Sequence, residues 1–461
     1  MNKCKNVKLL FGTGRLKINV PPQADILKLA HCAALSNPKK AIENILRNPI
    51  SSLPLAEIAR KKVQANKNTK AVIVVSDNTR PVPYQGKSGI LEPVIKTLQE
   101  QNIKDLAILV ANGTHRPLAE AELKKFLPAH IFKSGIPVIN HLCREKRELR
   151  LIGRTPRGSE IWINRHYLDA DLKILTGLVE PHFMAGFSGG RKSICPGLIG
   201  EESTYIFHGP QFMSDARSTS LNLKHNPCHE EALAMARAAG ADFIVNVTLD
   251  GANRLTGVFA GDMEKAHLAA IAKVKKDNAI LIRQEYDLVI THAGFVGINH
   301  YQAAKCAVEA AKAVKKGGTI VLLANNTDKD PVGSPNYKKA LPLLRLLNPK
   351  GFTARIHSAE WTFIPDQWEV QMWARVFQKL ASQGKLIYCS PQLTGPAFDT
   401  NGLPGTDGGS GVKISGVLPM AKMARAMAQK AVDEFCSENP DGRIAVLLDG
   451  PYGVPLLKTN Y

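Results

Sequence analysis

Between Gly177 and His208 the chain reads GLVEPHFMAGFSGGRKSICPGLIGEESTYIFH, and this stretch gathers most of the residue types that can do chemistry. Two imidazoles, His182 and His208, bracket a lysine, Lys192, that follows glycines at 186, 189 and 190. Glycine lets a backbone N–H approach a ligand closely, because it lacks a Cβ and reaches conformations other residues avoid. Lys192 is expected at the opening of a helix, where free N–H groups and the dipole favour an anion. The run GFSGGRKS aligns with a P-loop except that Arg191 stands where the second glycine is required, so the motif fails. Three readings of Lys192 stay open on these residues: a phosphate-contacting surface lysine, a nucleophile, or the point where a cofactor is tethered through its amine.

Two earlier loops carry related chemistry. SDNTRPVP at 76–83 and ANGTHRP at 111–117 each follow an apolar run, as Glu-Pro-His at 180–182 does. Singly these are weak signals, since Asn78 and Thr79 are ordinary turn residues and a lone Asp77 or Arg80 in a loop is usually solvated. Their repetition is the stronger signal. His115 and His182 beside Arg80 suit acid/base work on an anionic substrate, because histidine exchanges protons near neutral pH and arginine grips carboxylates in a fork.

The elements that must position these residues alternate. After an opening strand near Lys8–Leu10, a Gly12/Gly14 turn and a strand LKINVPP, a helical stretch ends near Ala65. Strands are expected at Ala71–Val75 and Ala107–Val110, with helices at Gly89–Gln101 and Ala119–Phe126. In an open α/β sheet ligands bind at the carboxyl ends of strands, which places all three polar loops in one crevice. The pattern restarts at Tyr286–Thr291, turns through HAGFVGINH and enters a helix at Tyr301–Val314. Gln302 and Lys305 share a face of that helix by their spacing. Only Gly294 and Gly297 occupy the turn, so a GxGxxG dinucleotide fingerprint is absent. Trp361 and Trp368 belong either to a core or to a lid over a flat ligand. Six glycines in 401–416 argue against a regular element, and a helix over 418–435 and a strand Ile444–Leu448 follow. The expected fold class is α/β, with mostly parallel sheets in two domains, 1–276 and 277–461, the second Rossmann-like and the active site in the interdomain cleft. The final helix and strand are free to pack back on the first domain.

Composition narrows the function classes. At 461 residues, with 44% hydrophobic and 22% charged residues, the chain can bury sizeable cores. No apolar run reaches membrane-spanning length, and the N-terminal segment lacks an export pattern, so a cytoplasmic protein is expected. Eight dispersed cysteines read as free thiols, and Cys228–His229 alone is not a metal site. The net charge of +20 raises nucleic-acid binding as an alternative, but the basic residues are scattered without a recognisable module. A kinase or ATPase built on GFSGGRKS is the other alternative, weakened by Arg191.

Four separated motifs together resemble the nickel-pincer lactate racemase family: SDNTRPVP at 76–83, GTHRP at 113–117, EPHFMAGFSGGRKSICPG at 180–197 with His208 after it, and HYQAAK at 300–305. The resemblance runs from FGTGRLKINVPP to the Trp368 region. It implies a racemase or epimerase of 2-hydroxy acids that uses a nickel ion in a pyridinium bisthiocarboxylate mononucleotide. Lys192 would be joined to that cofactor, His208 would complete the nickel coordination, and the glycines would receive its phosphate. His115 and His182 would be the acid/base pair, one taking the hydroxyl proton while the C2 hydrogen leaves as hydride, with return to the opposite face of a bound 2-keto acid. Arg80 would grip the carboxylate with Asp77 orienting it, and Asn78 and Thr79 would line the cofactor site. Tyr301, Gln302 and Lys305 would contact substrate, the latter two also the cofactor, and Trp368 would cover it. Cofactor-biosynthesis enzymes are the implied protein partners, with no nucleic acid or membrane.

Overall fold

The computed structural model describes residues 4–30, 32–381, 383–393 and 420–458. The chain divides into two compact units, one of His31–His208 with Asp215–Asp277, the other of Met1–Ala30, Gly209–Ser214 and Asn278–Tyr461. The glycine-rich 401–416 segment lies outside the described residues, as does the start of the helix expected over 418–435, which is seen as Met420–Glu438.

The first unit is built on a six-stranded sheet in the order Leu255–Gly261, Phe243–Leu249, Leu172–Leu178, Lys70–Ser76, Asp105–Ala111, Val138–Asn140. All neighbours run parallel except the first pair. Its central strands read as continuous apolar runs, as in KAVIVVS, because helices cover both faces of a parallel sheet. Ile73, Val75, Ile108, Val110, Ile174 and Val245 form its core. Helix Leu91–Glu100 closes over that core with Leu91, Val94, Ile95 and Leu98, the i, i+3, i+4, i+7 stripe of an amphipathic helix.

The chain order in this sheet places the site. From Lys70–Ser76 the next strand, Asp105–Ala111, is added on one side, and Leu172–Leu178 is added on the other. The polar loops after these three adjacent parallel strands therefore leave the same edge, and the order reverses between Lys70–Ser76 and Leu172–Leu178. A crevice at such a reversal is the usual ligand site of an open α/β sheet.

The second unit holds five parallel strands in the order Lys385–Cys389, Val314–Leu323, Tyr286–His292, Ile444–Leu447, Asp25–Leu27. The strand expected at Ile444–Leu448 is seen as Ile444–Leu447 and pairs with Tyr286–His292, and a further strand, Val454–Leu457, pairs parallel with Ala279–Ile282. The opening hairpin, Lys5–Phe11 with Gly14–Val20, also belongs here, although the sequence reading grouped residues 1–30 with the N-terminal domain. Its alternating strands send Val7, Leu9, Ile18 and Val20 into one apolar cluster with Leu288, Ile290, Val321, Met427 and Val446. Local alternation shows that this hairpin has a buried face. It does not show which sheet that face covers.

Candidate functional site

Asp77 is the first residue after its strand and is buried, 5% exposed. Its Oδ1 accepts hydrogen bonds from the Thr79 backbone N–H at 3.1 Å and hydroxyl at 2.6 Å, and its Oδ2 lies 2.6 Å from His115 Nδ1. Burial by itself would raise this carboxyl, but His115, Thr79 and Arg80 outweigh it and hold it at about 2. An ionised carboxylate only accepts, so Nδ1 of His115 carries a proton and, in the neutral ring, Nε2 is left with a lone pair. The imidazole side chain is 45% exposed. This is the geometry of an oriented general base.

His182 has the opposite arrangement. It is buried in the two-residue strand Pro181–His182, and its Nδ1 accepts from the backbone N–H groups of Met184 and Ala185 at 3.4 and 3.3 Å. A neutral His182 thus keeps its proton on Nε2, as a donor. One resting histidine offers a lone pair and the other an N–H donor.

Arg80 forms an ion pair with Glu180, Nε to Oε1 at 3.1 Å, and its Nη1 donates to Thr79 O at 3.1 Å. The ion-pair partner of Arg80 is Glu180, and the Asp77 carboxylate bonds to His115, while its charge still acts on Arg80 from nearby. Thr79 acts by fixing Asp77, and Asn78 is an exposed turn residue.

Lys192 does not open a helix. Gly190–Ser193 is a four-residue 3-10 turn, after which Pro196, lacking an N–H, cannot continue a helical ladder. The glycines are explained by the chain's own packing. A Cβ on Gly186 would stand 2.2 Å from Asn222 O, and one on Gly190 would stand 2.4 Å from the His267 ring, with both glycines at positive φ. The Gly190 N–H is already given to Asn246 Oδ1 at 2.9 Å. The turn therefore lacks the helix N-terminus on which a P-loop relies.

Arg191 is 1% exposed and donates to Phe187 O at 3.1 Å and Ala185 O at 2.8 Å, clamping the loop that carries His182. Its charge stays beside Lys192. Burial, reinforced by Arg191 and Arg80, lowers the Lys192 ammonium to about 7, against 10.5 in water. The amine lies 5.2 Å from the centre of the Phe207 ring. His208, next in the chain and 5% exposed, meets that ring edge-on at 4.5 Å. Burial, then the charges of Lys192 and His115, push His208 well below the usual imidazole range. It is a neutral nitrogen donor. Cys195, inside the same stretch, is fully buried and raised to about 12, an inert thiol. Among the described residues no group of three or more His, Cys, Asp or Glu side chains is placed to hold a metal by itself.

In the other unit Asn299 caps helix His300–Ala311, its Oδ1 accepting from Gln302 N at 2.8 Å. Lys305 Nζ donates to Gln302 Oε1 at 2.6 Å, which puts the two on one face. Trp368 is buried and donates its indole N–H to Tyr301 OH at 2.8 Å, whereas Trp361 donates to Gln367 at 2.9 Å. Tyr301 and Trp368 thus form one aromatic pair. Beside it Glu369, 2% exposed, is raised to about 8 by burial, against the opposing charge of Lys305.

Residues 11–220 match the model of the lactate racemase N-terminal domain and residues 281–393 that of the lactate racemase C-terminal domain. Lactate racemase from Lactiplantibacillus plantarum is 34% identical over 342 residues, covering 73% of this chain and 77% of the relative. The chain belongs to the lactate racemase family. A second such racemase, from Thermoanaerobacterium thermosaccharolyticum, is 31% identical over 379 residues, 80% of this chain and 85% of its own. The solved lactate racemase apoprotein from that organism superposes with a TM-score of 0.81 at 26% identity, covering 98% of this chain and all of the other. A Thermotoga maritima protein, 18% identical with a TM-score of 0.57, shares the fold, covering 88% of this chain and 98% of its own.

Within this family chain, sequence reading alone missed three residues that shape the site. Glu180 was visible in the Glu-Pro-His run, but nothing local tied it to Arg80, a hundred residues earlier. In the sequence Arg191 shows only as a break in the P-loop pattern, whereas in the structure it is a buried clamp. Asn246 lies mid-strand, where an amide inside FIVNVTL is the one available signal.

Proposed function

We propose that the chain interconverts the enantiomers of a small 2-hydroxy acid, using a nickel-pincer nucleotide joined to Lys192. The supporting observation is the pairing of an amine at about 7 with a neutral buried imidazole, Lys192 with His208, beside a histidine fixed by an ionised aspartate. These residues fit such a group. An amine uncharged near neutrality can form a covalent bond to a cofactor. A neutral imidazole can donate to Ni(II), and with one histidine the remaining donors must come from the cofactor, as its soft sulfur arms supply. The positive charges of Arg191 and Arg80 favour an anionic nucleotide. When bound, that group supplies acceptance and return of a hydride, chemistry that no side chain offers.

The chain's own residues do the rest. Arg80 holds the substrate carboxylate in its free edge. Nε2 of His115 takes the hydroxyl proton, and Asp77 stabilises the imidazolium formed. His182 returns a proton from Nε2 in its imidazolium form and is left as the neutral ring, and in the reverse direction a neutral His182 takes the hydroxyl proton while the His115 imidazolium returns one. Tyr301, Gln302 and Lys305, on helix His300–Ala311, contact the substrate, the latter two also the cofactor, and Trp368, on helix Gln367–Leu380, covers the cofactor, all four in a Rossmann-like unit.

Peptide mass spectrometry with nickel analysis tests this, on protein made together with the cofactor-producing enzymes. Added mass on the Lys192 peptide and about one nickel per chain are expected, both lost in Lys192→Ala, followed by racemisation in a screen of enantiopure 2-hydroxy acids. An unmodified Lys192 in folded protein, despite confirmed cofactor supply, would overturn the assignment.

A further inference from the structure

The two loops that carry Arg80 and His182 leave neighbouring strands on either side of the point where the strand order reverses. One ion pair spans them, Arg80 Nε to Glu180 Oε1 at 3.1 Å. We propose that Glu180 is the positioning residue for substrate binding, fixing the Arg80 guanidinium so that its remaining edge receives the carboxylate of the 2-hydroxy acid. This rests on the proposed function above.

The stem of Glu180 is itself held. Its backbone N–H donates to Ser188 Oγ at 3.0 Å, and Ser188 N–H donates back to Glu180 O at 3.0 Å. Ser188 Oγ in turn donates to Leu178 O at 2.7 Å, which ties the pair to the strand end. Pro181 follows and restricts Glu180 to extended backbone. The carboxylate therefore projects from a rigid base, with its side chain 17% exposed and that of Arg80 21% exposed.

On the arginine, Nε faces Glu180 and Nη1 faces Thr79 O. Nη1 also reaches Thr79 Oγ1 at 3.5 Å, which leaves the Nη2 group for a ligand. An unsupported arginine loses the freedom of a long side chain when it binds a carboxylate, whereas one already held on two sides loses less. The partnership has a second effect. Arg80 is close enough to Asp77 to help lower that carboxyl, so it has an alternative acidic neighbour. Glu180 retains the guanidinium and leaves Asp77 to His115.

The test uses cofactor-loaded protein and the 2-hydroxy acid that the wild type turns over fastest, lactate being tried first. Glu180→Ala is expected to raise KM about ten- to a hundred-fold, the range of one charge-assisted hydrogen bond, with kcat within about threefold. Glu180→Gln is expected to fall between, because its amide oxygen still accepts. Added to Arg80→Ala, the Glu180→Ala change should cost little more, since Glu180 acts through Arg80. An impaired Arg80→Ala with a normal Glu180→Ala, or fully additive effects, overturns this proposal alone. An unchanged KM in Arg80→Ala removes the carboxylate reading of Arg80 as well. A crystal structure of cofactor-free Glu180→Ala gives a readout independent of turnover: Arg80 should leave its observed position, and an undisturbed guanidinium defeats the proposal. If Glu180→Ala does not fold, Glu180→Gln carries both measurements, and an unchanged KM with an unmoved Arg80 there overturns it.

Discussion

The proposed role of His115 as a base depends on Asp77 staying ionised, and that dependence can be measured on both stability and rate. The Asp77 carboxyl titrates at about 2 when folded, against 3.8 unperturbed, so its interactions contribute stability fully above about pH 5. That contribution, roughly 2 kcal/mol, disappears as the pH falls from about 4 through 2. Asp77→Asn should therefore be less stable than wild type at pH 6, and the gap should narrow toward pH 2.5, in urea unfolding at the two pH values. In loaded protein the same change should lower kcat about 10²-fold or more, because Asn no longer stabilises the imidazolium. Lys192 gives a second measurement. Site-resolved acylation of cofactor-free protein across pH 5–11 should show Lys192 titrating at about 7, and a midpoint near 10 would remove the argument for an amine poised for tethering. The residue types of this site were legible in the sequence, because histidine, lysine and arginine after successive strands are rare as coincidence. Their pairing was not. Asp77 with His115 and Arg80 with Glu180 join positions 38 and 100 residues apart, and side-chain type alone cannot choose between Asp77 and Glu180 as the partner of Arg80.

The turn Gly190–Ser193 shows how an element can be misread from its composition. Glycines before a lysine suggest an anion cradle, yet here they admit Asn222 and the His267 ring against the backbone. The alternating strands and helices were readable, since continuous apolar runs and the i, i+3, i+4 stripe of Leu91–Glu100 are local patterns. Whether a glycine faces a ligand or a neighbouring residue is settled by atoms distant in sequence. Gly190 and Gly86 separate the two costs of replacing a glycine at positive φ. Gly86, at φ 77°, has nothing within 4 Å of an added Cβ, so Gly86→Ala bears the backbone strain alone, about 1 kcal/mol. Gly190→Ala adds a collision with His267, whose ring is held by its Nε2 bond to Ser188 O at 2.9 Å. It should cost about 2 kcal/mol more, in the range of overpacking, and should also displace Lys192 enough to slow its acylation. Equal unfolding free energies for the two variants would show that His267 yields without cost.

For the whole molecule the consequential fact is that sequence order and compact units differ. Residues 1–30 supply the edge strand Asp25–Leu27 of the five-stranded sheet and a hairpin face over its core, although 241 residues of the other unit and the six-residue return Gly209–Ser214 separate them from Asn278. Hydrophobic alternation in KNVKLLF and GRLKINV was plain in the sequence; its destination was not, because nothing local to a strand names its distant partner. Removing residues 1–27 should therefore destabilise the unit made by the C-terminal half. Val7, Leu9, Ile18 and Val20 are each at most 7% exposed, and their loss uncovers Leu288, Ile290 and Val446. At ~1.5–3 kcal/mol for each buried aliphatic side chain, the loss approaches the whole stability of an ordinary domain. Hydrogen exchange should show protection falling in Tyr286–His292 and Ile444–Leu447 while Lys70–Ser76 and Asp105–Ala111 keep theirs. Loss of protection in the strands at 70–76 and 105–111 first, with 286–292 intact, would contradict the assignment of the hairpin to the second unit.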